Sequence, residues 1–229
     1  MENSNIYLLW AKANNGEKPY KHLLIFHMID VMAVTQTFFK DSLPQSLQVK
    51  MASDLGIISS STVAWISFLA GCHDIGKASP LFQGKRPEAK ASLRGLGYDF
   101  PSTSPNPPHH SEITEAILSE TLPQFSWNGH SLPKKLIRRC AKALGGHHGK
   151  FPATTRDISS KDLGRDNWST IRNDLLNSLQ NAAGLSQQEA PQKDDQDHGF
   201  FMLFAGLVAQ HKNPERNLKP LTNSKKLYL

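Results

Sequence analysis

Only two cysteines, Cys72 and Cys140, occur in 229 residues, which excludes a disulfide framework and a cysteine-based zinc finger. Both sit in apolar, helix-patterned surroundings and read as core thiols. Long apolar runs are also lacking. The two longest, residues 63–72 and 199–209, fall well short of the roughly 20 residues that span a bilayer. The N-terminal Met1-Glu2-Asn3-Ser4 has neither the basic start nor the apolar segment of a secretory signal, so the sequence predicts a cytoplasmic protein with no membrane partner. No strand-like alternation stands out and no internal repeat is found. What remains is a chain of ordinary globular composition, 38% hydrophobic, long enough to bury a substantial core and short enough to form one domain.

The net charge of +6 invites a nucleic-acid reading, but its distribution weakens that inference. Residues 210–229 hold five Lys/Arg and one acid, so this short tail carries most of the excess. Local clustering says more. Lys134, Lys135, Arg138, Arg139 and Lys142 share one side of a predicted helix over residues 131–144, whose other side carries Leu136, Ile137, Cys140, Ala141 and Leu144. Such a face is either solvated or a stripe for phosphates. It leads directly into Gly145-Gly146-His147-His148.

Apolar spacing predicts helices nearly throughout. One over residues 23–39 carries Leu24, Ile25, Met28, Ile29, Met32 and Val34, with His27 among these core-side positions. Another over 62–72 is apolar enough to be buried, with Ser61 or Thr62 as its cap. Residues 85–108, rich in Gly, Pro and basic side chains, read as an irregular excursion. A helix over 111–122 follows, with Glu112 and Glu115 in its first turn and His109-His110 at its entrance. Trp168, Ile171, Leu175 and Leu179 form a further helical stripe that belongs to the core. Residues 186–197 read as a polar linker and 200–209 as a last apolar helix.

The chemistry concentrates where the apolar run Phe68-Leu69-Ala70-Gly71-Cys72 delivers His73-Asp74 into the turn Ile75-Gly76-Lys77. A buried carboxylate and imidazole are costly unless paired or metal-bound. The chain offers partners in His27, His109-His110 and His147-His148. Asp74 is suited to bridge two cations because a carboxylate has two oxygens. His73 would serve one ion, and His147 and His148, released from helical geometry by the preceding glycines, the other. Two divalent cations about 3.5–4 Å apart activate a water nucleophile and stabilise an in-line phosphoryl displacement. Lys77 would set a cation against a phosphate or leaving oxygen. Imidazole-rich ligation suits Mn, Fe, Co or Ni at least as well as Mg, which prefers oxygen.

These segments together resemble a known family. Leu9-Trp10-Ala11-Lys12, His27-Met28-Ile29-Asp30-Val31, His73-Asp74-Ile75-Gly76-Lys77-Ala78-Ser79, His110-Ser111-Glu112 and Gly145-Gly146-His147-His148-Gly149 are similar to the HD nuclease domain of the CRISPR-associated helicase-nuclease of type I systems. The likeness covers residues 7–209. It implies an all-α HD-domain helical bundle and metal-dependent phosphodiester hydrolysis of single-stranded DNA in antiviral defence. It also implies a helicase portion or subunit and the CRISPR RNA-guided surveillance complex as partners. Carried over by position, the metal ligands are His27, His73, Asp74, His110, His147 and His148, with Asp74 and Lys77 catalytic. His110 is chosen over His109 because Ser-Glu-Ile-Thr follows it. Lys135, Arg138 and Arg139 are the candidate DNA contacts.

One family ligand has no counterpart. An aspartate is expected after the apolar Ala-Gly helix, and Lys212 stands near its place. A protonated lysine cannot ligate a metal. The domain is therefore drawn as residues 1–209, with 210–229 an atypical, truncated basic tail, disordered and outside the fold, and the metal site as weakened. An HD phosphohydrolase acting on nucleotides and a catalytically impaired DNA-binding remnant stay open as alternatives.

Overall fold

The computed structural model describes residues 5–14, 21–102, 105–124, 126–127, 130–149, 158–185 and 191. Three expectations fall outside them: the polar linker save Pro191, the last apolar helix and the basic tail. Among the described residues no single helix is long and apolar enough to cross a membrane. The expected helical bundle is present, edged by two small hairpins that the sequence reading did not anticipate. Strand β1 (Trp10–Ala13) pairs antiparallel with β2 (Lys21–Leu23), and β3 (Ser126–Trp127) with β4 (His130–Ser131). Strands of two to four residues are too short to display a period of two.

The helices are α1 (Leu24–Asp41), α2 (Gln45–Leu55), α3 (Ser59–Gly71), α4 (Pro80–Gln83), α5 (Pro87–Gly95), α6 (His110–Thr121), α7 (Lys134–Gly145), α8 (Ser160–Leu163) and α9 (Asp166–Ala182). A 3-10 segment, Cys72–Lys77, continues α3. Helix α1 buries Leu24, Met28, Val31, Met32, Thr35 and Phe39, spaced at three and four residues as an amphipathic helix requires. Val34 faces solvent, because Val31 and not Val34 continues that stripe. Helix α3 lies along α1 at the centre of the bundle, and Trp65, Ile66, Phe68, Leu69 and Ala70 are all buried. Its N-cap is Ile58, not Ser61 or Thr62. Thr62 lies inside the first turn and its hydroxyl donates back to the Ile58 carbonyl at 3.1 Å.

The described part of 85–108 holds a regular helix that its Gly and Pro content hides. Pro87 opens α5, Glu88 and Arg94 sit in its first and last turns, and Ala89 and Leu93 are buried. These are regular helix signals, masked in the sequence by the density of breakers around them. Beyond α5, Tyr98 and Phe100 meet the edge of Trp168 at centroid distances of 5.0 and 5.4 Å. The Trp168 indole donates to the Asp99 carbonyl at 2.9 Å. The segment is thus sewn to α9, whose Trp168, Ile171, Leu175 and Leu179 are buried as the stripe predicted. Helix α7 starts at Lys134 behind Pro133, three residues later than expected, because Ser131 belongs to β4.

Candidate metal centre

Four pieces of chain converge at the inner end of α3, and small residues let them do so. At Gly71 an added Cβ would lie 2.6 Å from Met32 Cγ, so α3 ends hard against α1. At Gly76 it would lie 2.0 Å from the His110 carbonyl oxygen and 2.6 Å from Thr114 N, so the 3-10 segment touches the backbone of α6. Thr114 fastens the contact: its hydroxyl donates to the His73 carbonyl at 3.0 Å and accepts from Gly76 N–H at 3.0 Å. Asp74 leaves helical geometry at φ −108°, ψ 16°, in the bridge region where many active-site residues sit. At the end of α7, Gly145 packs on Glu115 and Ser111. Glu115 is therefore buried under this helix end and lies beyond the first turn in which it was expected, because α6 starts at His110 and only Glu112 falls in its first turn.

The two oxygens of Asp74 face different partners. Oδ2 lies 3.0 Å from His27 Nε2, 3.1 Å from His73 Nε2 and 2.7 Å from Lys77 Nζ. Oδ1 lies 3.2 Å from His110 Nε2 and 3.4 Å from His147 Nε2. Asp74 is 1% exposed and every one of these partners is buried. Burial acts against the carboxylate, yet the charge of His73 and the ring nitrogens of His110, His147 and His27 outweigh it and hold the Asp74 carboxyl well below its usual range. Burial also pushes the His110 imidazole down to about 4 and lowers His27, each opposed by Asp74. Both rings are accordingly neutral near pH 7, the form that ligates metals.

Ring tautomers decide whether a metal fits. His73 Nδ1 lies 2.9 Å from the Ala70 carbonyl and His147 Nδ1 contacts the Leu144 carbonyl. A carbonyl only accepts, so both Nδ1 atoms carry the proton, and in the neutral form of each ring Nε2 turns a lone pair toward Asp74. This is the second-shell arrangement that orients ligating histidines. Lone pairs then face a carboxylate, and such acceptors come together only around a proton or a cation. Asp74 Oδ1 and His110 Nδ1 are moreover buried polar atoms without a hydrogen bond, which native interiors rarely leave unexplained. Two sets of ligand atoms share Asp74: His27, His73, Asp74 on one side and Asp74, His110, His147 on the other. The donor set fits a pair of divalent cations.

His148 stands one layer out, exposed, with Nε2 3.0 Å from His110 Nε2. His109, passed over in the sequence reading, is the N-cap of α6. Its Nδ1 contacts Ser111 and the Glu112 carboxylate accepts from its backbone N–H at 2.8 Å, a reciprocal capping box. Lys135 and Arg138 lie on the exposed side of α7 and Arg139 is half-buried, opposite the buried Leu136, Ile137, Cys140 and Leu144. Two supporting residues gave no signal in the sequence. Gln83, fully buried, accepts from Trp10 N–H and donates to the carbonyls of Trp10 and Lys77 at 2.9 Å each. Arg172 donates to the carbonyls of Ala78 and Leu163. Together they clamp the strand β1 and the end of the 3-10 segment around Lys77, whose ammonium also donates to the Ala11 carbonyl at 3.3 Å.

Comparison with known proteins agrees with this geometry. The family described as Cas3, HD domain matches residues 10–210. The CRISPR-associated endonuclease/helicase Cas3 of Thermus thermophilus is 34% identical over 151 residues, 66% of this chain and 15% of that protein. The chain thus spans about a sixth of the curated relative it matches. A crystal structure of a CRISPR-associated protein is 31% identical with a TM-score of 0.81, covering 90% of this chain and 22% of the other. The Thermus thermophilus Cas3 HD domain, solved in the presence of Ni2+, is 27% identical with a TM-score of 0.62 over 89% of this chain and 75% of that one. A chain in a CRISPR RNA-guided surveillance complex, in a pre-nicking state, is 25% identical with a TM-score of 0.72, over 89% and 24%. A helical bundle that gathers histidines around one shared aspartate, matched along nearly all its length, belongs to the Cas3 HD nuclease family.

Proposed function

We propose that this chain hydrolyses phosphodiester bonds of single-stranded DNA with divalent transition metals, in the cytoplasm, as the nuclease step of type I CRISPR interference. The observation that carries the reading is the division of Asp74, whose two carboxylate oxygens each face a separate pair of imidazoles. When bound, divalent cations supply a water nucleophile at neutral pH and stabilise the charge on phosphoryl oxygens. Asp74 would be shared by the two positions, with His27 and His73 holding a cation on the Oδ2 side and His110, His147 and His148 one on the Oδ1 side. Lys77, whose Nζ is 2.7 Å from Asp74 Oδ2, holds the carboxylate in place and sets a positive charge beside the phosphate or the leaving oxygen. Mn, Fe, Co and Ni match the nitrogen-rich donors better than Mg. A helicase portion or subunit and an RNA-guided surveillance complex are the proposed partners, by analogy with the endonuclease/helicase and the complex to which the chain is similar.

The substrate is tested through α7. Replacing Lys135, Arg138 and Arg139 together by Gln is expected to weaken single-stranded DNA binding and to flatten the slope of log K against log salt by about 2, at roughly 0.7 per phosphate contact. Hydrolysis of a small chromogenic phosphodiester should change little. An unaltered salt slope would make this face merely solvated and favour a small-molecule phosphohydrolase.

Lys212 carries a second test. With a lysine near the place of the missing aspartate, the Asp74 centre is expected to hold fewer than two metals and to cut slowly. Lys212→Asp removes a cation and adds an anionic ligand, so metal content at that centre and cleavage should both rise. Two ions tightly held at the Asp74 centre and rapid cleavage in the parent would show that another residue already completes the site.

A further inference from the structure

Beside the Asp74 cluster, and sharing His110 and His148 with it, lies a second group of imidazoles. His109, His110 and His148 each present a ligand atom, all within 4.8 Å of one another. Their ring centroids are 4.1 Å apart for His109–His110, 4.6 Å for His109–His148 and 4.8 Å for His110–His148. His110 is buried whereas His109 and His148 are exposed, so the group spans from the buried centre to solvent. His109 and His110 also line an open cleft of about 360 Å³ together with Phe82, Lys85, Asn106 and Glu112. A small solute therefore reaches this group without passing through the core.

We propose that His109, His110 and His148 form an outer site for one borderline transition-metal cation, with His109 as a further ligand. All three donors are imidazole nitrogens, which suits Ni2+, Co2+ or Zn2+ and not Mg2+. The helix cap prepares His109 for this role. His109 Nδ1 lies 2.9 Å from Ser111 Oγ, and this contact holds the ring beside His110, as a second-shell contact does for a ligating histidine. The positive end of α6 and Lys77 oppose a cation here. The Glu112 carboxylate on the same turn and Asp74 beyond His110 offset them. Because the outer site shares His110 and His148 with the buried centre, the two compete for these ligands.

The test counts Ni2+ per chain, by equilibrium dialysis and atomic absorption, on full-length protein stripped with a chelator. Asp74→Asn dismantles the buried centre and is expected to keep one Ni2+. The double variant Asp74→Asn/His109→Asn is expected to lose it. Asparagine is a strong N-cap, so helical content should match between the two, which separates ligand loss from unfolding. An Asp74→Asn chain that binds no Ni2+, or a double variant that binds as much, overturns the outer site. Should Asp74→Asn fail to fold, the parent is titrated against His109→Asn, where the weakest-bound Ni2+ is expected to vanish and identical titrations overturn the proposal. A parent that binds no more Ni2+ than Asp74→Asn would instead sink the buried metal centre and leave the outer site standing.

Discussion

Asp74→Ala is expected to strip the buried metal and to lower single-stranded DNA cleavage by at least about 10³-fold, the scale on which loss of one indispensable member of a catalytic set acts. Among the described residues, Asp74 is the one carboxylate in both metal-ligating groups: Oδ2 serves His27 and His73, and Oδ1 serves His110 and His147. Helical content should stay near the parent's, since the apolar core of α1, α3, α6 and α9 is untouched. Stability will still fall, because Lys77 and the buried imidazoles lose the anion that compensates them, and breaking a buried pair costs about 3–5 kcal/mol. Circular dichroism, metal analysis and a cleavage assay on one preparation separate these effects. His130→Ala, outside the cluster, is the control. Parent-like cleavage by Asp74→Ala in a preparation free of other nucleases would remove the active site proposed here.

Gly76→Ala should produce a large loss of stability from the addition of one methyl group. Its new methyl would sit 2.0 Å from the His110 carbonyl oxygen and 2.8 Å from Thr114 Oγ1, so backbone on both sides must part. Overpacking that no side chain can relieve costs about 3 kcal/mol or more. In a domain of this size that lowers the melting temperature by roughly 10 °C. The separation would also carry His110 away from Asp74, so metal affinity should fall with stability. Gly95→Ala is the matched control. A Cβ there meets nothing within 4 Å, and at the end of α5 the change should be neutral or stabilising by less than about 1 kcal/mol. Equal melting temperatures for Gly76→Ala and the parent would mean that the 3-10 segment and α6 are not in backbone contact.

The centre was legible in the sequence because its chemistry violates the apolar pattern around it. A His-Asp pair ending a buried run, and His-His after paired glycines, stand out without any knowledge of the fold. The stripes of α1, α7 and α9 were legible for the complementary reason, since a helical face repeats every three to four residues whatever it packs against. What escaped was long-range or local in ways that spacing does not encode. Gln83 and Trp10 are 73 residues apart, and Arg172 reaches the carbonyl of Ala78 across 94. Neither side chain differs in type from an ordinary surface residue. Helix α5 was hidden by the glycines and prolines that bound it. The role of His109 as a helix cap was obscured because histidine is not among the residues that usually fill that position.

The most direct measurement is an anomalous difference map at the nickel absorption edge, from crystals of the chelator-stripped chain soaked in Ni2+. The expected peak is bonded to the Asp74 carboxylate and flanked by the ring nitrogens of His27 and His73, or of His110 and His147. A strong peak elsewhere in the molecule, with none at Asp74, would contradict a metal centre built on that carboxylate.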